Sequence, residues 1–383
     1  MRNTSKVVFT ALLAAAVGAC SDTNDPVTGP GEEPGSSVSA DHQPAGAVYL
    51  ATNATAGNEV LVLARADNGR LSAPRAFATG GTGTGTGLGN QGGVVLARQD
   101  RRLLVVNAGS DDISVFAVRA NGIKLLDRVP SGGQHPISVT VFGHLVYVLN
   151  AGGTGNISGF TLDRNGKLHP LRNSTRPLST SASDPAQIEF SPDGGKLVVT
   201  EKATNTISTY RVNEFERPRG PKAQPSVGAT PFGFAFDRHG TLVVSEAFGG
   251  APNASALSSY RLPATGPLQV ITPSAGTTET AACWVVITGN GRYAYTSNTG
   301  SGSISGYRIR DDGRLSLLSA DGVTGVTGAG PIDLALSTGD RYLYSLDSGS
   351  GMISAFRVKA NGGLAVLPGV SGIPAGANGL AAR

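Results

Sequence analysis

Asp112-Ile-Ser-Val-Phe116, Asn156-Ile-Ser-Gly-Phe160, Thr206-Ile-Ser-Thr-Tyr210, Ser303-Ile-Ser-Gly-Tyr307 and Met352-Ile-Ser-Ala-Phe356 share one pattern, Ile-Ser followed two residues later by an aromatic ring. Ala256-Leu-Ser-Ser-Tyr260 and Glu59-Val-Leu-Val-Leu63 are looser versions. The second positions of these seven segments, 60, 113, 157, 207, 257, 304 and 353, are separated by 53, 44, 50, 50, 47 and 49 residues. A period near fifty held through seven units marks a repeat architecture.

The surroundings of each segment repeat as well. A Pro or Gly turn such as His135-Pro136 or Thr230-Pro231 opens a short apolar strand. A turn such as Ser191-Pro-Asp-Gly194 or Thr288-Gly-Asn-Gly291 leads to a second strand such as Lys196-Leu-Val-Val-Thr200. The quoted segment is the third strand, and a turn such as Arg164-Asn-Gly166 or Asp311-Asp-Gly313 leads to a fourth. Turn chemistry every eight to twelve residues signals antiparallel sheet. Four strands in each of seven repeats give an all-β fold, a seven-bladed β-propeller of four-stranded antiparallel blades over residues 46–383. The first repeat starts at Val48 with a second-type strand, and Gly376-Ala-Asn-Gly-Leu-Ala-Ala-Arg383 reads as a first-type strand with nothing after it. The two ends are therefore expected to share one blade and close the ring. Two β-sandwiches would not keep one period through all seven units.

Composition agrees. Glycine contributes 54 of 383 residues and charged residues only 15%, against about 7% and 25% in ordinary proteins, which disfavours coiled coils and helical bundles. The glycines lack the period of collagen. Net charge is 31 − 27 = +4, too small and too scattered for a nucleic-acid surface. Gly87-Leu-Gly-Asn-Gln-Gly92 matches a dinucleotide fingerprint by letters, but it follows a loop and precedes a strand. It reads as a flexible connection between blades.

The N-terminus reads as an address. Two positive charges in Met1–Lys6, the apolar run Val7–Ala16 and Val17-Gly-Ala-Cys20 describe a secretory signal over residues 1–19. The last four resemble a bacterial lipobox, which makes Cys20 the lipidated residue. Ser21 rather than Asp follows, the pattern of an outer-membrane destination if the cell is Gram-negative. Residues 20–45 are rich in Ser, Thr, Gly, Pro and acids and are expected to form a disordered tether, reaching roughly 28 Å. The protein is thus expected to be exported and anchored at the cell envelope only through its lipid, as a monomer. Cys283 is then unpaired and reads as a small buried residue.

Val105-Val-Asn-Ala108, Tyr147-Val-Leu-Asn150 and Tyr295-Thr-Ser-Asn298, with turns like Ser191-Pro-Asp-Gly194, resemble the YVTN-type repeats of lactonase-family seven-bladed propellers. That family includes propeller-type 6-phosphogluconolactonase and fungal 3-carboxy-cis,cis-muconate lactonizing enzyme. The resemblance implies action on a lactone. Its His-Pro-His segment reads His135-Pro136-Ile137 here, its Pro-Arg-His reads Pro185-Ala186-Gln187, and its Asn-Glu reads Thr200-Glu201.

In a propeller, the second-to-third and blade-to-blade loops share one face. Of the five histidines only His135 reaches it, since His144 and His239 lie in one-to-two turns, His169 follows a three-to-four turn and His42 is in the tether. The second strands end in Asn53, Asn107, Asn150, Glu201, Glu246, Asn298 and Asp347. Asn and Asp suit Asx-type turns. Glu does not, so Glu201 and Glu246 stand out, either for a ligand or ion or for pairing with a base such as Lys202. The first strands add Gln91, His135, Gln187, Phe232, Trp284, Asp333 and Asn378 to that face. The reading that follows assigns Glu201 as general base and His135 as donor or acid. Gln187, Glu246, Phe232, Trp284, Asn150, Asn298 and Asp333 become ligand contacts for a carbohydrate-type molecule. Phe232 and Trp284 also suit plain packing between blades. No cofactor is expected, and the oxygen donors of Glu201 and Glu246 are the place for a divalent cation such as Ca²⁺. No Arg/Lys cluster offers itself to a phosphate. The function expected is hydrolysis or isomerisation of a sugar lactone or cyclic sugar acid. The alternative is a non-catalytic surface propeller that binds a glycan or a protein.

Overall fold

The computed structural model describes residues 44–383. The signal segment, Cys20, His42 and all of the tether before Pro44 lie outside the described residues. Seven antiparallel sheets follow one another. Blade 1 consists of Gly46–Ala51, Glu59–Arg65 and Arg75–Ala78, with Asn378–Ala382 as its innermost strand. Blades 2 to 7 begin with inner strands at Val94, Pro136, Pro185, Pro231, Ala282 and Pro331. The ring closes as expected: Val48 pairs with Ala382 and Leu50 with Leu380, and Arg65 Nε donates to the Arg383 carbonyl at 3.0 Å. In blades 3 and 6 the fourth strand is split into two short pieces. A single 3-10 turn, Phe248–Gly250, is the one helical element among the described residues.

Every second strand packs between two neighbouring blades and is buried on both faces, as in Leu145–Asn150 and Tyr342–Asp347. That is why these strands read as continuous apolar runs and not as alternation. The third strands show why Ile-Ser repeats. The isoleucine enters an inter-blade core, as Ile207 does beside Phe234 and Leu242, and burial of such a side chain stabilises by about 1.5–3 kcal/mol. The serine, one residue on, points to the other face of the strand. Tyrosines then tie blade to blade. Tyr147, Tyr295 and Tyr344 are fully buried, and each hydroxyl donates to a turn carbonyl of the following blade, Glu216 at 2.9 Å, Gly362 at 2.8 Å and Gly69 at 2.9 Å.

Candidate functional site at the channel mouth

The serines of the third strands explain the polar ring. Asn107, Asn150 and Asn298 each donate Nδ2 to the serine of their own blade, Ser114, Ser158 and Ser305, at 2.9, 3.1 and 2.9 Å. In the acidic blades the direction reverses: Ser208, Ser258 and Ser354 donate to Glu201, Glu246 and Asp347 at 2.7, 2.5 and 2.5 Å. The carboxylates collect further donors from the loop entering the blade and, for Glu246, from the fourth strand. Glu201 accepts from the Ser179 amide and hydroxyl, and Glu246 accepts from Gly228 N at 2.8 Å and Ser274 Oγ at 2.6 Å. The ring is therefore a set of latches that join the second and third strands in blades 2 to 7, and in the acidic blades also the loop that enters the blade. Blade 1 differs: the position of Asn107 is held there by Thr52, whose N–H bonds Glu59 O, and Asn53 lies one residue further on at φ 51°.

This corrects the expected roles of four residues. Glu201, Glu246, Asn150 and Asn298 have no accessible surface, so they touch no ligand and Glu201 is not placed to activate water. Neither glutamate pairs with Lys202. Their carboxylates face donor hydrogens, which a Ca²⁺ would have to displace, so the pair does not fit that ion. Among the described residues no group of three or more His, Cys, Asp or Glu could hold a metal.

Gln187 and Asp333 belong to a different device, a clasp from one inner strand to the next. Gln187 Nε2 donates to Phe234 O at 2.9 Å and its Oε1 accepts from Phe234 N at 2.7 Å. Asp333 accepts from the backbone at Leu334 and Leu380, and burial pushes its carboxyl well above the usual range. Ser138 plays the same part toward Ile188 N at 3.2 Å. Below Gln187 on the same strand, Glu189 bonds only Gln187 Nε2, at 3.0 Å. With no counter-charge, desolvation raises it to about 8. Cys283 is buried, and desolvation raises its thiol to about 11, which leaves it unreactive.

What converges at the mouth is a smaller group. The residue before five of the seven inner strands adopts the left-handed conformation, with φ 54° at His135, 45° at Asp184, 56° at Thr230, 57° at Ala281 and 62° at Gly330. Each of these carbonyls accepts the N–H of the residue just past the second strand, as Asp184 O does from Lys202 N at 3.0 Å. The repeated turn sets the half-buried His135 and the exposed Asp184 on one face. Lys202 turns the opposite way from Glu201. Its Nζ lies 4.8 Å from the centroid of the Phe232 ring and 3.3 Å from Asp184 Oδ1. It also donates to Gly89 O at 2.7 Å. Phe232 and Trp284 meet at 4.9 Å between centroids, and Trp284 Nε1 donates to Asn90 O at 2.6 Å. An ammonium held over the Phe232 ring, which itself packs on Trp284, with a carboxylate and an imidazole on the same face, can polarise a carbonyl and move a proton.

The connection that reaches them is the second correction. Residues 79–93 do not form a flexible link. They cross the channel mouth as a strap, and Gln91 N donates to Ala186 O at 3.1 Å. Lys202 was weighed in the sequence only as a partner for Glu201, and Asn90 was missed altogether. The signal available was the length of the blade 1–2 connection.

A family model described as Lactonase, 7-bladed beta-propeller, matches residues 42–180, 155–269 and 258–369. No curated protein matches by sequence. Among solved structures, a putative 6-phosphogluconolactonase from Bacteroides fragilis superposes with TM-score 0.71 at 18% identity, covering 91% of this chain and 100% of its own. A periplasmic gluconolactonase from Pseudomonas aeruginosa superposes with TM-score 0.67 at 16% identity, covering 86% of this chain and 97% of its own. At such identities the superpositions establish the fold, whereas the family model spans most of the chain. The chain belongs to the lactonase family of seven-bladed β-propellers.

Proposed function

We propose that the protein is an exported, envelope-anchored hydrolase of sugar lactones that works at the channel mouth. The observation that carries this reading is the Lys202–Phe232–Trp284 cluster, the one place on that face among the described residues where a part-buried cation meets aromatic side chains suited to a sugar ring. In this scheme the lactone carbonyl oxygen takes the Lys202 ammonium as partner. The Asp184 carboxylate accepts a proton from the attacking water. His135 returns a proton to the ring oxygen as the C–O bond breaks, leaving a hydroxy acid. The secretory pattern of residues 1–20 supports the location, and the likeness to a periplasmic gluconolactonase is consistent with it.

The test is pH-stat hydrolysis of D-glucono-δ-lactone by the full-length protein, corrected for the spontaneous reaction. Loss of one charged oxyanion partner typically costs about 10²-fold in rate, so Lys202→Met is expected to lose that much while staying folded. Absence of acceleration over a panel of sugar lactones sinks the proposal. It would favour the second reading, a surface propeller binding a glycan or protein. That reading has one observation on its side, a mouth already filled by Asn90 and Gln91.

A further inference from the structure

Six of the seven blade-to-blade connections are short. They run from four residues, 327–330, to seven, 178–184, whereas Thr79–Gly93 has 15. Eight of the 14 residues from Gly80 to Gly93 are glycine. This excess length is the strap, and its contacts are specific. Gln91 copies the clasp of Gln187: its Nε2 donates to Val285 O at 2.7 Å and its Oε1 accepts from Val285 N at 3.0 Å. It can do so because the blade 5 position facing Val285 is Gly233, where a Cβ would stand 2.1 Å from Gln91 Oε1. Asn90 accepts from Asn378 Nδ2 at 2.8 Å and donates to Ile137 O. The strap thus touches the inner strands of five blades.

Its backbone does something more pointed. Two strap carbonyls, Gly89 O and Asn90 O, cap the two side-chain donors of the mouth, Lys202 Nζ and Trp284 Nε1. The strap gives the Trp284 indole N–H its acceptor and gives the Lys202 ammonium a second partner beside Asp184. The strap is anchored upstream on Asn53, which accepts from Gly85 N at 2.7 Å and donates Nδ2 to Thr86 O at 2.6 Å, and between that anchor and Gly89 the chain passes through the exposed Gly87.

We propose that residues 86–92 act as a built-in substitute for ligand. Their two carbonyl oxygens occupy the places that the acceptor oxygens of a polyhydroxylated acid or its lactone take, and ligand binding requires the strap to swing out on its glycines. Lys202 and Trp284 are then the specificity-determining donors. This rests on the mouth being the ligand site of the proposed function, but not on turnover. The strap and the ligand compete, so the observed affinity is reduced by the fraction of molecules with the strap closed.

Competition makes an unusual prediction, a gain of affinity on removing a native contact. Trp284 is the only tryptophan, so its fluorescence reports the mouth alone. Gln91→Ala is expected to raise acrylamide quenching of Trp284 and to tighten binding of D-gluconate, which cannot be hydrolysed, by about 5-fold or more. A clasp with only a structural role predicts weaker or equal binding. Unchanged quenching, weaker binding in the variant, or no gluconate binding to either protein overturns the proposal. Should Gln91→Ala not fold, hydrogen exchange on the wild-type protein decides. Gluconate is expected to speed exchange in 86–92 while the blades stay protected, and slower exchange there contradicts it. Gluconate binding with strap release but no lactone turnover would leave this inference standing and remove the hydrolase reading. Turnover with an unmoved strap would do the reverse.

Discussion

Glu201 and Lys202 are neighbours in sequence and opposites in structure. The glutamate closes a strand and is sealed inside blade 4 by three donor groups. The lysine, one residue on, leaves the strand and hangs over the channel against Phe232. Consecutive residues of an extended chain face opposite sides, so one residue of offset separates a structural carboxylate from a candidate catalytic cation. A charged side chain at the functional face of a repeat fold is thus not functional by virtue of its height along the axis. Its side of the strand decides.

The latch side of this comparison breaks most visibly at Glu246. Glu246→Ala leaves Ser258 Oγ, Ser274 Oγ and Gly228 N without their acceptor, and each buried orphan costs about 1–3 kcal/mol. A loss near 3 kcal/mol or more in denaturant unfolding is expected, with unaltered activity per folded molecule. The channel side is sharpened by Glu189. Its folded pKa, about 8, lies above the unfolded value, so between pH 4.5 and 8 the native state holds a proton that the unfolded chain has released. Stability therefore falls as pH rises through that window. Glu189→Gln should flatten the slope and stabilise the protein at pH 8 by about 1–2 kcal/mol, with little change at pH 4, read from thermal unfolding at both pH values. The smallest effect belongs to a part that serves neither side: Tyr344→Phe removes one inter-blade bond to Gly69 O. It should cost about 1 kcal/mol, measured as a shift in denaturant midpoint.

The blade count, the order of strands and the shared closing blade were all legible, because a fifty-residue period and turn chemistry are local and repeated. The polar ring was legible as a ring but not as latches, since that needed the pairing of Asn107 with Ser114 across two strands. In blade 1 the ring position is Thr52 and not Asn53, an offset of one residue in the blade whose segment Glu59-Val-Leu-Val-Leu63 lacks the serine of the others. The mouth was the least legible part. Lys202 depends on which way one side chain turns, and Gln91 depends on the empty space over Gly233, 142 residues away in the sequence.

The most direct test sets the two neighbours against each other, measuring turnover of D-glucono-δ-lactone and unfolding free energy for Glu201→Gln and Lys202→Met. The account predicts that Glu201→Gln loses about 1–2 kcal/mol of stability and keeps its turnover per folded molecule. It predicts that Lys202→Met keeps its stability and loses turnover about 10²-fold. A Glu201→Gln protein as stable as wild type but inactive, beside a Lys202→Met protein that remains active, would contradict it.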